Sequence, residues 1–471
     1  MAQRRADRPF ESTLEDLDPE VNAAIDGELA RQRCMLDLVA SESVPPRAVL
    51  QAQGSILTTK YADGYPASRE YDTCAWIDEI EYLAIERAKT LFGADHANVQ
   101  SYSGANANAA VLHALCEPGD VVLGFDFKHG GHPSHYAAET FAGRNYRAFA
   151  YGVRRDNRLV DMDEVATLAR LHRPKVLFAG WSCYSRHLEF ERFREIADEV
   201  GAALVVDMAH FAGLVAAKVH PDPVPFADAC TMTTHKTLGG ARGGAILCRR
   251  ELAERVDAAV YPGEQGCPLP HVIAAKAVTF KLAGTAEFRE RMERAVEGAR
   301  TMAQVLVEAE DRTEAQVVTG GTDVHQLLVD LAPGGREAWA TLRRLNYIGI
   351  SANAMTLAYD PLVEPACSGL RFGATALACR GLDRDQFAEV GGVLADALAN
   401  GGEDPGAGSV EHGAHERTGF AVERIAVGAR LGKRRDTQRV WENRGSDRAV
   451  WRLQPDPDQF RHTERDGRHC L

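Results

Sequence analysis

A series of short, uninterrupted apolar runs constrains this chain more than any other feature. Val121-Val-Leu-Gly, Lys175-Val-Leu-Phe-Ala-Gly, Ala203-Leu-Val-Val-Asp and Gly244-Ala-Ile-Leu-Cys are each bounded by Gly, Pro or charge. Strands that are apolar at successive positions, rather than alternate ones, need cover on both faces. Helical patterns such as Phe193 to Val200 lie between some of them, and this alternation predicts an α/β protein with a largely parallel, doubly wound sheet. Ligands of such sheets sit beyond the carboxyl ends of the strands. Chemistry is therefore to be sought just after these runs.

Around that centre the pattern changes. Residues 10 to 35 read as a helical arm, with Leu14, Leu17, Val21, Ala24 and Leu29 at near-helical spacing. A Gly/Pro/Tyr-rich loop spans Thr58 to Asp72, and Trp76 to Phe92 reads as a helix stopped by Gly93. Its expected buried face carries Trp76, Ile77, Ile80, Leu83, Ala84 and Ala88. A long helical stretch at 272–310 precedes His325-Gln-Leu-Leu-Val-Asp-Leu and Gly369-Leu-Arg-Phe-Gly, which predict strands of a smaller α+β domain. The division expected is an arm at 1–35, a large domain at 36–285, a small C-terminal domain at 286–402, and an Arg-rich tail at 403–471 with little structure of its own.

A net charge of −13 argues against a nucleic-acid or anionic-membrane partner. No run approaches the roughly 18 apolar residues that span a bilayer, and the N-terminus lacks the apolar core of a signal peptide. Ten cysteines occur with no C-x-x-C pair, which predicts free thiols and a cytoplasmic protein.

Asp207, in Asp-Met-Ala-His210, ends an apolar strand. A buried carboxylate there could keep the ring nitrogen of pyridoxal phosphate protonated, or could simply cap the next turn. Another strand-like run ends in Thr233-Thr-His235-Lys236 before a glycine-rich turn. A lysine so placed can capture a carbonyl cofactor while the glycines admit it closely; the plain reading is a solvated turn residue. Asp-strand followed by Lys-strand is more specific than either part. Ser103-Gly104 opens a helix whose N–H groups could hold a phosphate, or Ser103 is an ordinary N-cap. His132, in His129-Gly-Gly-His132, could stack on a flat ring, pair with His129 on a metal, or be solvated. Arg371 sits in an apolar strand and needs an anion, either a substrate carboxylate or an internal acid.

These residues resemble serine hydroxymethyltransferase and its relatives, pyridoxal-phosphate enzymes of the aspartate-aminotransferase fold type (fold type I). The likeness runs from about residue 12 to 400. It includes Leu38-Val-Ala-Ser-Glu42, Lys60-Tyr-Ala-Asp-Gly-Tyr-Pro66, Gly130-Gly-His132, Val206-Asp-Met-Ala-His-Phe-Ala-Gly-Leu-Val215, Thr234-His-Lys-Thr-Leu238, Arg242-Gly-Gly244 and Ser368-Gly-Leu-Arg371. It implies that Lys236 binds the cofactor, Asp207 holds the pyridine nitrogen, His132 stacks on the ring, and Ser103 and Gly104 bind phosphate. Ser182, Thr233, His210 and His235 would line the cofactor, and Gly263 would reach the partner subunit's phosphate. Arg371 and Ser41 would grip the substrate carboxylate, with Tyr61 and the acid/base Asp63 at the reacting end. The family implies a homodimer or a tetramer, with sites at the subunit interface and no metal.

The departures bear on the reaction. Asp63 replaces the usual glutamate and is one methylene shorter. Arg69-Glu-Tyr71 replaces Arg-Tyr-Tyr, Asp72-Thr73 replaces Gly-Gly, and Ser103-Gly-Ala105 replaces Ser-Gly-Ser. Pro262-Gly-Glu-Gln-Gly-Cys267 and Gly373-Ala-Thr-Ala376 are also altered. Met355 stands where a pterin-binding asparagine is usual, with Asn353 close by. Changes on the folate side favour an L-threonine transaldolase, which releases acetaldehyde and adds another aldehyde to the glycine carbanion. The alternative is a serine/glycine hydroxymethyltransferase using tetrahydrofolate. A non-catalytic scaffold would predict loss of Lys236 or Asp207, and both are present.

Overall fold

The structure is a computed structural model that describes residues 9–363, 365–399 and Ile425. The expected tail from residue 403 lies, apart from Ile425, outside the described residues. The described elements belong to one compact unit.

A seven-stranded sheet organises the chain. Its strands are β1 (His96–Asn98), β2 (Val121–Phe125), β3 (Arg147–Tyr151), β4 (Val176–Gly180), β5 (Ala203–Asp207), β6 (Ala229–Thr233) and β7 (Gly244–Cys248), in the spatial order β1-β7-β6-β5-β4-β2-β3. Pairings from β3 to β6 are parallel, and β7 runs against both β6 and β1. The sheet is thus largely parallel, as the apolar runs predict. Successive residues of one strand enter different cores: Leu177 and Ala179 pack into one cluster, Val176 and Phe178 into another. This is the period-two alternation of a strand covered on both faces, and it explains why the runs carry no polar positions.

A four-stranded antiparallel sheet follows, ordered β8-β9-β11-β10 with β8 (Gln316–Val317), β9 (Gln326–Asp330), β10 (Asn353–Met355) and β11 (Gly369–Gly373). It has its own core, in which Leu327, Val329, Leu370 and Phe372 meet Phe387 and Leu394.

Several helical expectations need correction. The arm helix α1 (Pro19–Cys34) starts at an Asp18 cap and buries none of its residues. Helix α2 (Ala75–Phe92) exists as expected, yet Trp76 is 82% exposed and Leu83 also faces out. Its buried face carries Ile77, Ala84, Ala88 and the charged Glu81; a periodicity count of apolar residues misses a buried acid. The stretch at 272–310 is two helices, α4 (Pro270–Ala283) and α5 (Ala286–Glu308), and the second starts at a Thr285 cap. Between α2 and α4, helix α3 (Gly104–Leu115) follows β1. The nine described cysteines are free, as expected. Among the described residues no helix is long and apolar enough to cross a membrane.

Lys276 of α4 is buried, and its ammonium donates to the carbonyls of Val99 (2.6 Å), Ser101 (2.9 Å) and Gly244 (2.8 Å). Three acceptors match the three donors of a charged lysine. The clamp fixes the segment between β1 and α3 against the start of β7. Lys276→Met removes the ammonium donor from three carbonyls, of which that of Ser101 keeps the Gly244 N–H (2.9 Å), so we expect a loss of about 2–4 kcal/mol, read as a lower denaturant midpoint; an unchanged midpoint would refute the clamp.

Candidate active site

The carboxyl ends of β2, β4, β5 and β6 converge, and the segments that follow them supply the site. Asp207 closes β5 and is 5% exposed. Its Oδ2 accepts from Asn108 Nδ2 (2.8 Å) and faces His135 Nε2 (2.9 Å), while Oδ1 accepts from the Ala209 N–H (3.0 Å). Burial alone would raise this carboxyl, but the hydrogen bonds and charge of His135, with His132 and Asn108, hold it well below the ordinary range. It is an ionised acid facing the cleft.

Asn108 and His135 were not foreseen. Asn108 stands one turn into α3, where its side chain also takes a 2.6 Å bond from Thr231 and gives one to Ser134 at 2.9 Å. His135 is fully buried and stacks on Phe178 at 4.8 Å. The repeat His132-x-x-His135 was the available signal. His132, His135 and Asp207 could share a cation, their ligand atoms lying within 4.8 Å of one another; the hydrogen bonds at Asp207 account for the grouping without one. The His129–His132 pairing considered from sequence does not form. His129 Nδ1 instead accepts from the Val153 N–H, and its ring rests on Tyr359.

Lys236 follows β6 by three residues. Burial lowers its ammonium to about 8, although Asp207 pulls the other way. Burial likewise lowers His132 to about 4, leaving a neutral flat ring whose Nδ1 is 2.7 Å from Ser134 Oγ. His210 is buried and pushed well below its ordinary range by the same cause, with Lys236 and Arg371 adding to it. Its Nε2 lies 3.4 Å from Ser182 Oγ, and its Nδ1 has no hydrogen-bond partner among the described residues. Thr233 donates to the Ala209 carbonyl (3.0 Å).

Ser103 caps α3, accepting from the Asn106 N–H at 3.1 Å. A Cβ on Gly104 would come within 2.8 Å of Thr233 Cγ2, so only glycine lets the helix start this close to β6. The first N–H groups of the helix remain open for an anion.

Arg371 of β11 is buried and donates to Asn353 Oδ1 (2.8 and 3.3 Å), the Ser182 carbonyl (3.0 Å) and Cys183 Sγ (3.1 Å). Among the described residues no carboxylate pairs with it. The internal salt bridge is absent, and a cation remains for a ligand acid. Asn353 is committed to this arginine, while Met355 packs with Cys183, Leu328 and Leu357.

Among the remaining expected residues, Ser41 and His235 line a polar cavity of ≈ 490 Å³ with Glu42 and Arg242. His235 is lowered to about 4 by burial and then by Arg242. Tyr61, 62% exposed, meets Tyr71 edge-on at 5.8 Å. Ala62, between Tyr61 and Asp63, donates to Cys267 Sγ (3.3 Å), and Cys267 O accepts from the Tyr102 hydroxyl (2.6 Å). A Cβ on Gly263 would lie 3.2 Å from the His113 ring.

An amine, an ionised carboxylate, a neutral ring and an open helix start around one cleft fit a flat cofactor that bears an aldehyde, a basic ring nitrogen and a phosphate. The orphaned His210 Nδ1 marks a polar edge left for a ligand. Fold and site define a pyridoxal-phosphate enzyme of fold type I. The family model for serine hydroxymethyltransferase matches residues 14–394. The chain is 53% identical over 392 residues to "Serine hydroxymethyltransferase" of Nocardia farcinica, covering 83% of this chain and 91% of the relative. It is 52% identical over 395 residues to the enzyme of Clavibacter michiganensis subsp. michiganensis, covering 83% and 93%. It is also 52% identical over 394 residues to "Serine hydroxymethyltransferase 2" of Mycobacterium tuberculosis, covering 83% and 93%. The chain belongs to the serine hydroxymethyltransferase family, whose cofactor is pyridoxal phosphate.

A lysine can capture an aldehyde only as the free amine. Uptake of pyridoxal phosphate by the cofactor-free protein should therefore quicken about tenfold per pH unit below 8 and level off above it. Stopped-flow absorbance reads this, and Lys236→Ala should give no lysine-bound band. A pH-independent rate, or an unchanged band in the variant, would refute Lys236 as the acceptor.

Proposed function

We propose that this chain is a serine/glycine hydroxymethyltransferase that moves the hydroxymethyl carbon of serine to tetrahydrofolate. The observation that carries the amino-acid side is a buried arginine with no acid partner among the described residues, bonded to Ser182, whose hydroxyl lies 3.4 Å from His210. The relatives' names side with the hydroxymethyltransferase and give no support to the transaldolase suggested by Asp63, Ala105 and Met355.

Pyridoxal phosphate, when bound, supplies a ring that accepts the electron pair left when the Cα–Cβ bond breaks. Lys236 holds its aldehyde and Asp207 keeps a proton on its ring nitrogen. His132 covers one face; His210, Ser182, Thr233 and His235 line the edges. Ser103 and Gly104 bind the phosphate. Arg371 and Ser41 bind the substrate carboxylate, which orients the Cα–Cβ bond. Asp63, beside Tyr61, handles the proton at the β-hydroxyl oxygen.

Asp63, Tyr61 and Gly263 serve the partner's site in a homodimer. Support comes from the arm α1, which buries no residue, and from exposed Ile56 and Trp76.

Purified holoenzyme should release glycine from serine only when tetrahydrofolate is present. Product from threonine and an added aldehyde, with none from serine and folate, would instead establish the transaldolase. The dimer has its own test. Lys236→Ala subunits, inactive, and Asp63→Asn subunits, strongly impaired, are unfolded, mixed equally and refolded. Half the dimers are mixed and one of their two sites is intact, so about a quarter of the activity should return. No recovery would mean that both residues act within one chain.

A further inference from the structure

Arg69 stands at the centre of a buried network that the proposed reaction does not use. Its side chain is 3% exposed; Nη2 pairs with Glu81 Oε2 at 2.7 Å and Nε with Asp78 Oδ1 at 2.8 Å. Its Nη1 donates to two carbonyls, those of Ala62 (2.8 Å) and Gly64 (2.7 Å). These are the residues on either side of Asp63. Glu81 is fully buried, and its Oε1 accepts from Gln100 Nε2 (2.7 Å), which also reaches the Gly64 carbonyl at 3.0 Å. Gly64 takes φ +91°, and a Cβ there would lie 2.3 Å from the Ser68 carbonyl. The turn is closed tightly around the guanidinium.

A buried ion pair is a poor way merely to hold a hairpin, because an apolar plug does so without desolvating charge. The planar guanidinium does something a plug cannot: it sets hydrogen-bonded groups at fixed angles. Here it holds the peptide unit that enters Asp63 and the one that leaves Gly64, while the Asp63 carbonyl itself accepts from the Glu70 N–H at 3.0 Å. We propose that Arg69, held in place by Glu81, is a positioning residue that sets the direction of the Asp63 side chain. An aspartate has one methylene between backbone and carboxyl, so the placement of its carboxyl follows the backbone closely. The inference rests on the reading of Asp63 as the proton-handling group.

The test is a cycle of four holoenzymes: wild type, Arg69→Lys, Asp63→Asn and the double variant. Each is assayed for folate-dependent serine cleavage, for the serine KM and for the lysine-bound absorbance. Lysine keeps the charge opposite Glu81 but loses the fork. Arg69→Lys should lower kcat about tenfold or more, with KM and absorbance unchanged, and should cost nothing further in the Asp63→Asn background. An undiminished loss on top of an impaired Asp63→Asn enzyme, or no loss in the single variant, overturns the positioning role alone. An Asp63→Asn enzyme with unchanged kcat overturns the reading of Asp63 and this inference with it. Should Arg69→Lys fail to fold, Glu81→Gln frees the same guanidinium and enters the same cycle with the same expected outcomes.

Discussion

A carboxylate cut off from water stays ionised only where donors replace the water it has lost, and at Asp207 the donors arrive from three segments. Asn108 comes from α3, His135 from the loop after β2, and the Ala209 N–H from the turn after β5 itself. Neutralising that acid would remove the reason for all three to meet. The same bonds tie α3 to the end of β5, as the Thr231–Asn108 bond ties it to β6, and hold the loop that carries His132 beside them. One buried acid therefore ties α3, the segment that carries His132 and the turn after β5 together.

Much of this was legible in the chain, and the limits have physical causes. The runs that became β2, β4, β5 and β7 stood out because both faces of each are buried. β1 and β3 did not: β1 is only His-Ala-Asn and β3 alternates polarity at its exposed start; β6, Ala-Cys-Thr-Met-Thr, was readable only as a strand-like run ending at Thr233. Helix α2 was found but rotated, because Glu81 and not Trp76 faces inward. In the site, the order Asp207 then Lys236 was readable since both follow strands. His135 was not, because a histidine's role depends on the one acid it meets in space, 72 residues away.

The departures around the folate side look different once seated in the fold. Asn353 lies two residues from the usual pterin-binding position, but its carbonyl oxygen holds Arg371. Met355 closes a small apolar cluster rather than opening a polar gap. Substitutions that suggested a changed reaction when read as a string are, in part, repacking behind the carboxylate-binding strand. The relatives' shared name is consistent with that view.

Arg371 also carries a consequence for selectivity. Its guanidinium bonds to an amide, a carbonyl and a thiol, all uncharged. Arg371 lies on an inner strand of the small sheet, and among the described residues no acid answers its charge. An amino alcohol that lacks the α-carboxylate would fill the same volume yet leave that charge unanswered, at the cost of an unpaired buried ion. If Arg371 binds the substrate carboxylate as proposed, the site would filter by charge before it filters by shape, favouring amino acids over the decarboxylated amines that resemble them.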